Sequence, residues 1–368
     1  MTPELDIILI GIVLVLACVI PGTFLVLRRL SLMSDAISHS ALLGIVIAFF
    51  IVESLDSIWL ILGASMVGMV TVGLTEALIT TKRVKEDAAI GLVFPVFFSI
   101  GVILINKYAT TLHFDSDCIL FGEIAFAPFE RMMINSQDLG PKALWVMGSI
   151  LIFNVVFLIA FYKELKLATF DTGLAKLMGF RPRLLHYMIM FVTAITAVAA
   201  FESVGSILVV ALMITPAATA LLLSGRLFSM ILIGMGVGVI AVFFGYGLAT
   251  HYDTSIAGSI VTMSGVLFLL VFLFAFPNGV MAKILRFKQQ KLDFSASMLL
   301  VQLFDHEGQP KENFEITTMN MVDHMDWSHS FSERITRYCV RMNYVSRKGN
   351  SLYLTNLGRE LARQALSG

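Results

Sequence analysis

Apolar runs of 17 to 23 residues recur along most of the chain, separated by short polar or charged turns. They fall near 7–27, 34–52, 57–79, 88–106, 143–162, 187–203, 205–223, 229–249 and 257–277. Roughly 20 apolar residues in a helix cross the hydrocarbon of a bilayer, so each run predicts one spanning helix, nine in all. The sixth and seventh meet at Glu202–Gly205 almost without a break, and eight spans plus a re-entrant piece fits the same pattern. Pro95 and Pro216 lie inside two of the runs and predict a bend or a break there. After about residue 288 the long runs stop and short amphipathic segments begin.

The composition agrees. Apolar residues make up 57% of the 368, charged residues 14%, and the mean hydropathy is +0.85. A water-facing globular surface needs nearer 25% charge, so a soluble enzyme and a disordered chain are both excluded. The zero net charge hides two unlike parts. Residues 1–288 hold 17 of the 26 Lys and Arg and 17 of the 26 Asp and Glu, and the last 80 residues hold nine of each. Two domains are therefore expected, a transmembrane domain over 1–288 and a small cytoplasmic domain over 289–368. Cys18, Cys118 and Cys339 form neither a disulfide framework nor a zinc motif. The first run lacks a basic leader and a small-residue cleavage site, which predicts a retained span.

Alternate loops differ sharply in basic residues. One set carries fourteen, including Arg28, Arg29, Lys82, Arg83 and Lys163, and the other carries Lys107, Arg131 and Lys142. The basic set is expected on the cytoplasmic side, with the N-terminus outside and the tail inside.

Few polar groups occur within the spans. Asp35 and His39, in SLMSDAISHSALLG, are four apart and share one face of a helix. A carboxylate and an imidazole one turn apart suit a divalent transition metal, and they equally suit a structural Asp–His hydrogen bond. A carboxylate at membrane depth is costly, which favours a functional reading. Glu202 interrupts an apolar run and fits either a pathway or a helix-pairing role. Glu76, near a cytoplasmic end, can snorkel, and His186 reads as interfacial. The outer loop holds His113, Asp115, Asp117, Cys118 and Glu123, and its segment 117–127 is apolar enough for a short helix. No P-loop pattern is present, so ATP is not bound by this chain in that way. In KELKLATFDTGLAKLMGFRPRLLH, the residues Phe170, Leu174, Leu177 and Met178 recur at helical spacing. Thr172 begins and Gly179 stops a short amphipathic helix suited to docking a partner.

Four ordered segments resemble the permeases of bacterial ABC importers for zinc, manganese and iron. SLMSDAISHSALLG is similar to that family's Gly-Asp-x-x-Ser-His-x-x-Leu-Pro-Gly motif, with Ser34 where Gly is usual and Leu43 where Pro is common. KEDAAIGLVFPVFFSIGVIL, KELKLATFDTGLAKLMGFRPRLLHY and VGSILVVALMITPAATALLL are similar to three further signatures, and Leu120–Gly122 to a Leu-Phe-Gly in the outer loop. The resemblance implies an all-α polytopic permease that is not an enzyme and holds no permanent cofactor. Asp35 and His39 become transient ligands for transported manganese, iron or zinc, with Glu202 a weaker candidate. Phe170, Asp171, Leu174, Leu177 and Gly179 become the docking element for a cytoplasmic ABC ATPase. Further implied partners are an extracytoplasmic solute-binding protein and a second permease chain, identical or related, in the bacterial inner membrane. Two chains would together present an N2O2 donor set.

The tail resembles the winged-helix domains of metal-responsive regulators. It has expected helices at 297–305, 318–325 and 330–342, a two-stranded wing around Lys348–Asn350, and a last helix capped by Thr355. That likeness tilts the metal towards manganese or iron. The tail's neutral charge and membrane anchor argue against nucleic acid. Its Asp305, His306, His324, Asp326 and His329 suit either metal sensing or a solvated surface. Two other functions fit parts of the pattern, an ion-coupled secondary metal transporter and a membrane-tethered metal-responsive regulator.

Overall fold

A computed structural model describes residues 3–52, 58–108, 124–134, 137–276, 279–307, 325, 327–349 and 351–367. The chain divides into two compact units, Met1–Asn278 and Gly279–Gly368.

Nine helices among the described residues of the first unit are long and apolar enough to cross a membrane. They are α1 (Pro3–Leu27), α2 (Ser31–Val52), α3 (Ile58–Thr80), α4 (Glu86–Tyr108), α5 (Lys142–Phe170), α7 (Pro182–Val204), α8 (Ser206–Leu223), α9 (Leu227–Tyr252) and α10 (Ile256–Phe274). The short α6 (Thr172–Leu177) lies between α5 and α7, and a hairpin of β1 (Arg131–Ile134) and β2 (Gln137–Pro141) precedes α5. Gly205, at φ +80, separates α7 from α8, and only a residue without Cβ enters that conformation at little cost. Pro21, Pro95 and Pro216 sit inside continuous helices, so of the bend or break expected at Pro95 and Pro216 the break does not occur. Neighbouring helices and local adjustments re-satisfy the backbone around a membrane proline.

α1 is the hub. It packs against α5, α7, α8 and α9, and 72% of its spanning window is buried, against 17% for α5 and α10. Lipid is as apolar as leucine, so close backbone approach and buried polar contacts hold such a bundle. At Gly22 a Cβ would stand 1.9 Å from the Met213 carbonyl oxygen of α8, and at Gly44 one would stand 2.4 Å from Ala64 Cα of α3. Buried Asn154 of α5 donates to the Ala17 carbonyl of α1 and to Thr196 Oγ1 of α7, each at 2.9 Å.

α5 runs eight residues past the apolar limit at 162, because KELKLATF holds no helix breaker. Non-helical Phe161 (φ −111°, ψ 16°) marks the join between span and extension. On the other side, the hairpin replaces part of what reads as a plain polar loop. Arg131 pairs with Asp138 across it and lies 3.6 Å from buried Asp6 of α1. The Gly140 N–H, 2.9 Å away, and then Arg131 hold the Asp138 carboxyl below the usual carboxylate range. Residues 124–129 form turns, not the expected helix, and residues 117–123 lie outside the described residues.

The second unit has α11 (Val280–His306), α12 (His329–Arg341), β3 (Val345–Lys348), β4 (Ser351–Leu354) and α13 (Asn356–Ser367). Here α11 is far longer than the expected helix at 297–305, and the change in composition near 288 falls inside it. The helix expected at 318–325 lies outside the described residues. Ala296, Leu299, Leu300 and Leu303 of α11 form a core with Ile335, Cys339, Val345, Leu352 and Ala362. β3 and β4 pair antiparallel, and Thr355 Oγ1 accepts from Gly358 N at 3.1 Å to cap α13.

Tyr338 donates its hydroxyl to Asp293, and this bond pushes the phenol up to about 12; burial pushes the Cys339 thiol up to about 12. Raised folded-state values mean stability present below the unfolded values near 10 and 9 and lost as pH climbs through about 12. In the full chain carrying Cys118→Ser, Cys339 should therefore become open to alkylation between pH 9 and 12. Tyr338→Phe should raise its reactivity below pH 10 and flatten the part of the rise above it.

Candidate functional site

α2 opens immediately after a tight turn in which Arg29 adopts φ +62° and Leu30 N bonds the Leu25 carbonyl at 2.9 Å. At 1.5 Å per residue, Asp35 and His39 stand roughly 6 and 12 Å along the helix from Ser31. His39 Nε2 is 3.3 Å from Asp35 Oδ1. The imidazole stacks on Phe94 of α4, with ring centroids 5.8 Å apart, and meets Phe98 edge-on at 5.9 Å. These contacts hold the ring against α4 and leave both side chains partly open, Asp35 by 39% and His39 by 26%. Around them Ser34, Ala36, Ile37, Ser38, Ser40 and Ala41 are buried. Ser34, at the position where the resembled motif usually has glycine, donates to Met213 Sδ of α8 at 3.1 Å. Ser38 donates back to the Ser34 carbonyl at 3.0 Å.

The pair supplies one nitrogen and one oxygen donor. No group of three or more His, Cys, Asp or Glu gathers among the described residues. The side chain of Glu202 lies outside the described residues, as do His113, Asp115, Asp117, Cys118 and Glu123. His251 packs edge-on against Tyr252, and Asp253 is the left-handed cap of α9; both are exposed.

The second candidate element, α6, is one and a half turns long. Asp171 caps it, its carboxylate accepting from Leu174 N at 2.9 Å. Gly179, at φ +84, closes it while Phe180 N bonds the Ala175 carbonyl at 3.0 Å. Ala175 is buried, whereas Phe170, Leu174, Leu177 and Met178 are exposed, Leu177 by 86%. Phe170 is the last residue of α5, so the apolar patch spans the junction of the two helices.

Sequence reasoning missed the polar cluster beneath this element. Arg28, after α1, donates through Nη2 to Thr169 Oγ1 at the end of α5 at 3.1 Å. Its Nη1 is 3.2 Å from His186 Nδ1 at the start of α7. His186 pairs in turn with Glu76 of α3. Glu76 therefore does not snorkel alone, and His186 is more than interfacial. Burial pushes the Arg28 guanidinium down to about 10, still charged at neutral pH. Each group sits at a helix end, where sequence predicts only interfacial solvation; the pairing becomes visible only in three dimensions.

The profile of the ABC 3 transport family matches residues 5–275. The zinc transport system membrane protein TroD of Treponema pallidum is 43% identical over 362 residues, covering 98% of this chain and 98% of its own. The manganese transport system membrane protein MntD of Bacillus subtilis is 43% identical over 286 residues, 78% of this chain and 97% of its own. Little of MntD is left to match the remaining fifth of this chain, whereas TroD extends across it. Among solved structures, PsaBC from Streptococcus pneumoniae in complex with Fab superposes with a TM-score of 0.63 at 30% identity, over 78% of this chain and 96% of the matched one.

Proposed function

The chain belongs to the ABC 3 transport family, and from that membership we propose how its residues carry the cargo and receive the drive. It is the multi-pass membrane permease of an ATP-driven importer for divalent transition-metal ions in the bacterial inner membrane, and ATP is hydrolysed on a separate subunit.

The observation that carries the reading is the half-open Asp35–His39 pair inside a membrane helix. A carboxylate at that depth does not face hydrocarbon; its open side needs a water-filled path or another protein. A second permease chain, identical or related, supplies that cover. Two pairs then give an N2O2 set that the described residues of one chain do not supply, since four donors are the minimum such ions usually take. The ligands hold the ion transiently, because transport requires release. Oxygen and imidazole donors without thiolate suit manganese, ferrous iron and zinc alike, and the tail's likeness to metal-responsive regulators is what favours manganese or iron over zinc. The manganese relatives support that order, and the full-length relative named for zinc supports the second choice. Glu202 keeps a weaker assignment to the same path.

The exposed patch of Phe170, Leu174 and Leu177, on the helix held by Asp171 and Gly179, docks the ATPase. The Arg28 cluster joins the end of α5, two residues before the Asp171 cap of that helix, to the turn before α2, seven residues before Asp35. Movement of α6 would thus reach the metal pair through Thr169 and Arg28. Glu76→Gln or Arg28→Ala should leave ATP hydrolysis in place and lower metal transported per ATP by about tenfold or more. Buried bonds to charged groups contribute about 1.5–3 kcal/mol each. Equal loss of both activities would place the cluster in folding alone.

We assign the basic loops and the tail to the cytoplasm, the N-terminus outside, and delivery of the ion to an extracytoplasmic binding protein. We keep two domains, a transmembrane domain over 1–288 and a tail over 289–368. The antiparallel wing, with α12 before it and capped α13 after it, supports a winged-helix reading of the tail with a modulatory role. The test is uptake of radiolabelled manganese, iron and zinc by sealed vesicles containing the complete complex and ATP. Saturable ATP-dependent uptake led by manganese or iron supports the assignment; uptake of zinc alone moves it to zinc, and no uptake of any overturns it.

A further inference from the structure

The two halves of α11 differ. Ala296, Leu299, Leu300 and Leu303 enter the tail's core and Leu292 packs against it, whereas Met281, Ile284, Leu285, Phe287 and Phe294 are exposed. The same first half carries Lys283, Arg286, Lys288 and Lys291 with no acid before Asp293, whose carboxylate Tyr338 engages. Within the tail unit, this half and α12 border a cleft of about 690 Å³. Lys283, Lys288, Lys291 and Arg334 line it together with Ile284, Phe287, Leu292 and Phe331, and no carboxylate does. Lys291 and Arg334 both lie over the Phe331 ring, at 5.2 and 5.8 Å from its centroid. None of the four cations forms an ion pair among the described residues.

Four like charges around an aromatic-lined cleft repel one another unless an anion enters. An exposed apolar strip beside them is unfavourable in water, and lysine stems can cover it only in part. One environment answers both, the headgroup region of an anionic bilayer, where apolar side chains enter and ammonium groups meet phosphate. The sequence keeps the start of the helix within reach of that region. α10 ends at Phe274 and α11 begins at Val280, so a tether of roughly 20 Å at most joins the last span to the helix.

We propose that residues 280–294, with Phe331 and Arg334, bind anionic phospholipid headgroups of the cytoplasmic leaflet. The inference rests on the cytoplasmic placement of the tail. Each lysine near an anionic surface contributes about fivefold to the docked equilibrium, so three contribute roughly 100-fold.

The experiment places the full chain in nanodiscs of phosphatidylcholine alone or with a third phosphatidylglycerol. A fluorophore on Leu285→Cys, in a Cys118→Ser background, reports contact with headgroup-bound quenchers. Quenching confined to the anionic discs, reversed by high salt and lost in Lys283→Gln/Lys288→Gln/Lys291→Gln, supports the proposal. Protection of Cys339 from alkylation verifies that the triple variant keeps its tail folded. Equal quenching in both discs, or displacement by millimolar inorganic phosphate at constant ionic strength, overturns it; the latter reassigns the cleft to a small anion. Glu360→Cys, exposed on α13, is labelled in parallel in sealed vesicles with an impermeant reagent. Labelling from the outer face overturns the orientation and the proposal with it. Labelling from the inner face with lipid-independent quenching overturns the lipid proposal alone.

Discussion

His39→Ala, with Asp35 retained, is expected to reduce ATP-dependent metal uptake by at least about 100-fold while the complex still assembles. Residues that merely orient a metal ligand account for 10–100-fold in affinity, and a ligand itself stands at or beyond the upper end. Packing costs should be modest, because the ring is partly open and loses its contacts with Phe94 and Phe98 and its pairing with a half-exposed Asp35. Asp35→Ala should act as strongly, and the double variant little more than either, since two residues completing one site are not additive. His39→Phe separates the readings. It keeps an aromatic ring against α4, so a structural role predicts near-normal uptake and a ligand role predicts loss. Normal transport by His39→Phe would return the pair to a helix-packing function.

Leu177→Asp should detach the ATPase. The side chain is 86% exposed, so nothing in the permease fold depends on it, and the purified variant should match the parent in yield and thermal stability. A leucine buried on docking contributes about 1.5–3 kcal/mol, and an unpaired carboxylate in its place adds a desolvation cost. The expected result is at least a tenfold to hundredfold weaker association, read by co-purification and by the concentration of ATPase that half-saturates hydrolysis. Phe170→Ala should weaken it less, because Phe170 is at the edge of the patch and less exposed. Undiminished association by Leu177→Asp would move the docking surface off α6.

The nine spans were legible because the bilayer imposes a length and a polarity on each, and a one-dimensional pattern records both. The Asp35–His39 pair and α6 were legible for a related reason: each is a local arrangement, set by spacing along one helix or by Asp171 and Gly179 bounding a short one. What escaped is non-local. Arg28, Thr169, His186 and Glu76 meet from four helix ends, and nothing near any of them in sequence indicates the others. The same holds for Asn154, whose partners lie on α1 and α7, and for Arg131, which reaches Asp6 across the sequence. Pro95 and Pro216 do not break their helices, because neighbouring helices and local adjustments re-satisfy the backbone around a membrane proline. The extent of α11 was missed because the shift in composition near residue 288 reads as a boundary, whereas the helix runs through it from Val280 to His306.

The enclosure of α1 bears on how the protein is made. The first of the described spans to leave the ribosome is also the one most wrapped by later helices. Its partner α8 begins at Ser206, roughly 180 residues beyond Leu27, which at 5–20 residues per second means a wait of about 10–35 s. During that interval the Gly22 groove and the buried Asp6 face lipid, the translocation machinery or a chaperone instead of Met213 and Arg131. α1 is the most apolar of the nine spans, which lets it reside in the bilayer alone until its neighbours arrive. Nascent chains stalled before α8 should therefore expose α1 to lipid-borne crosslinkers, and membrane proteases would meet there an unfinished helix with a costly open face.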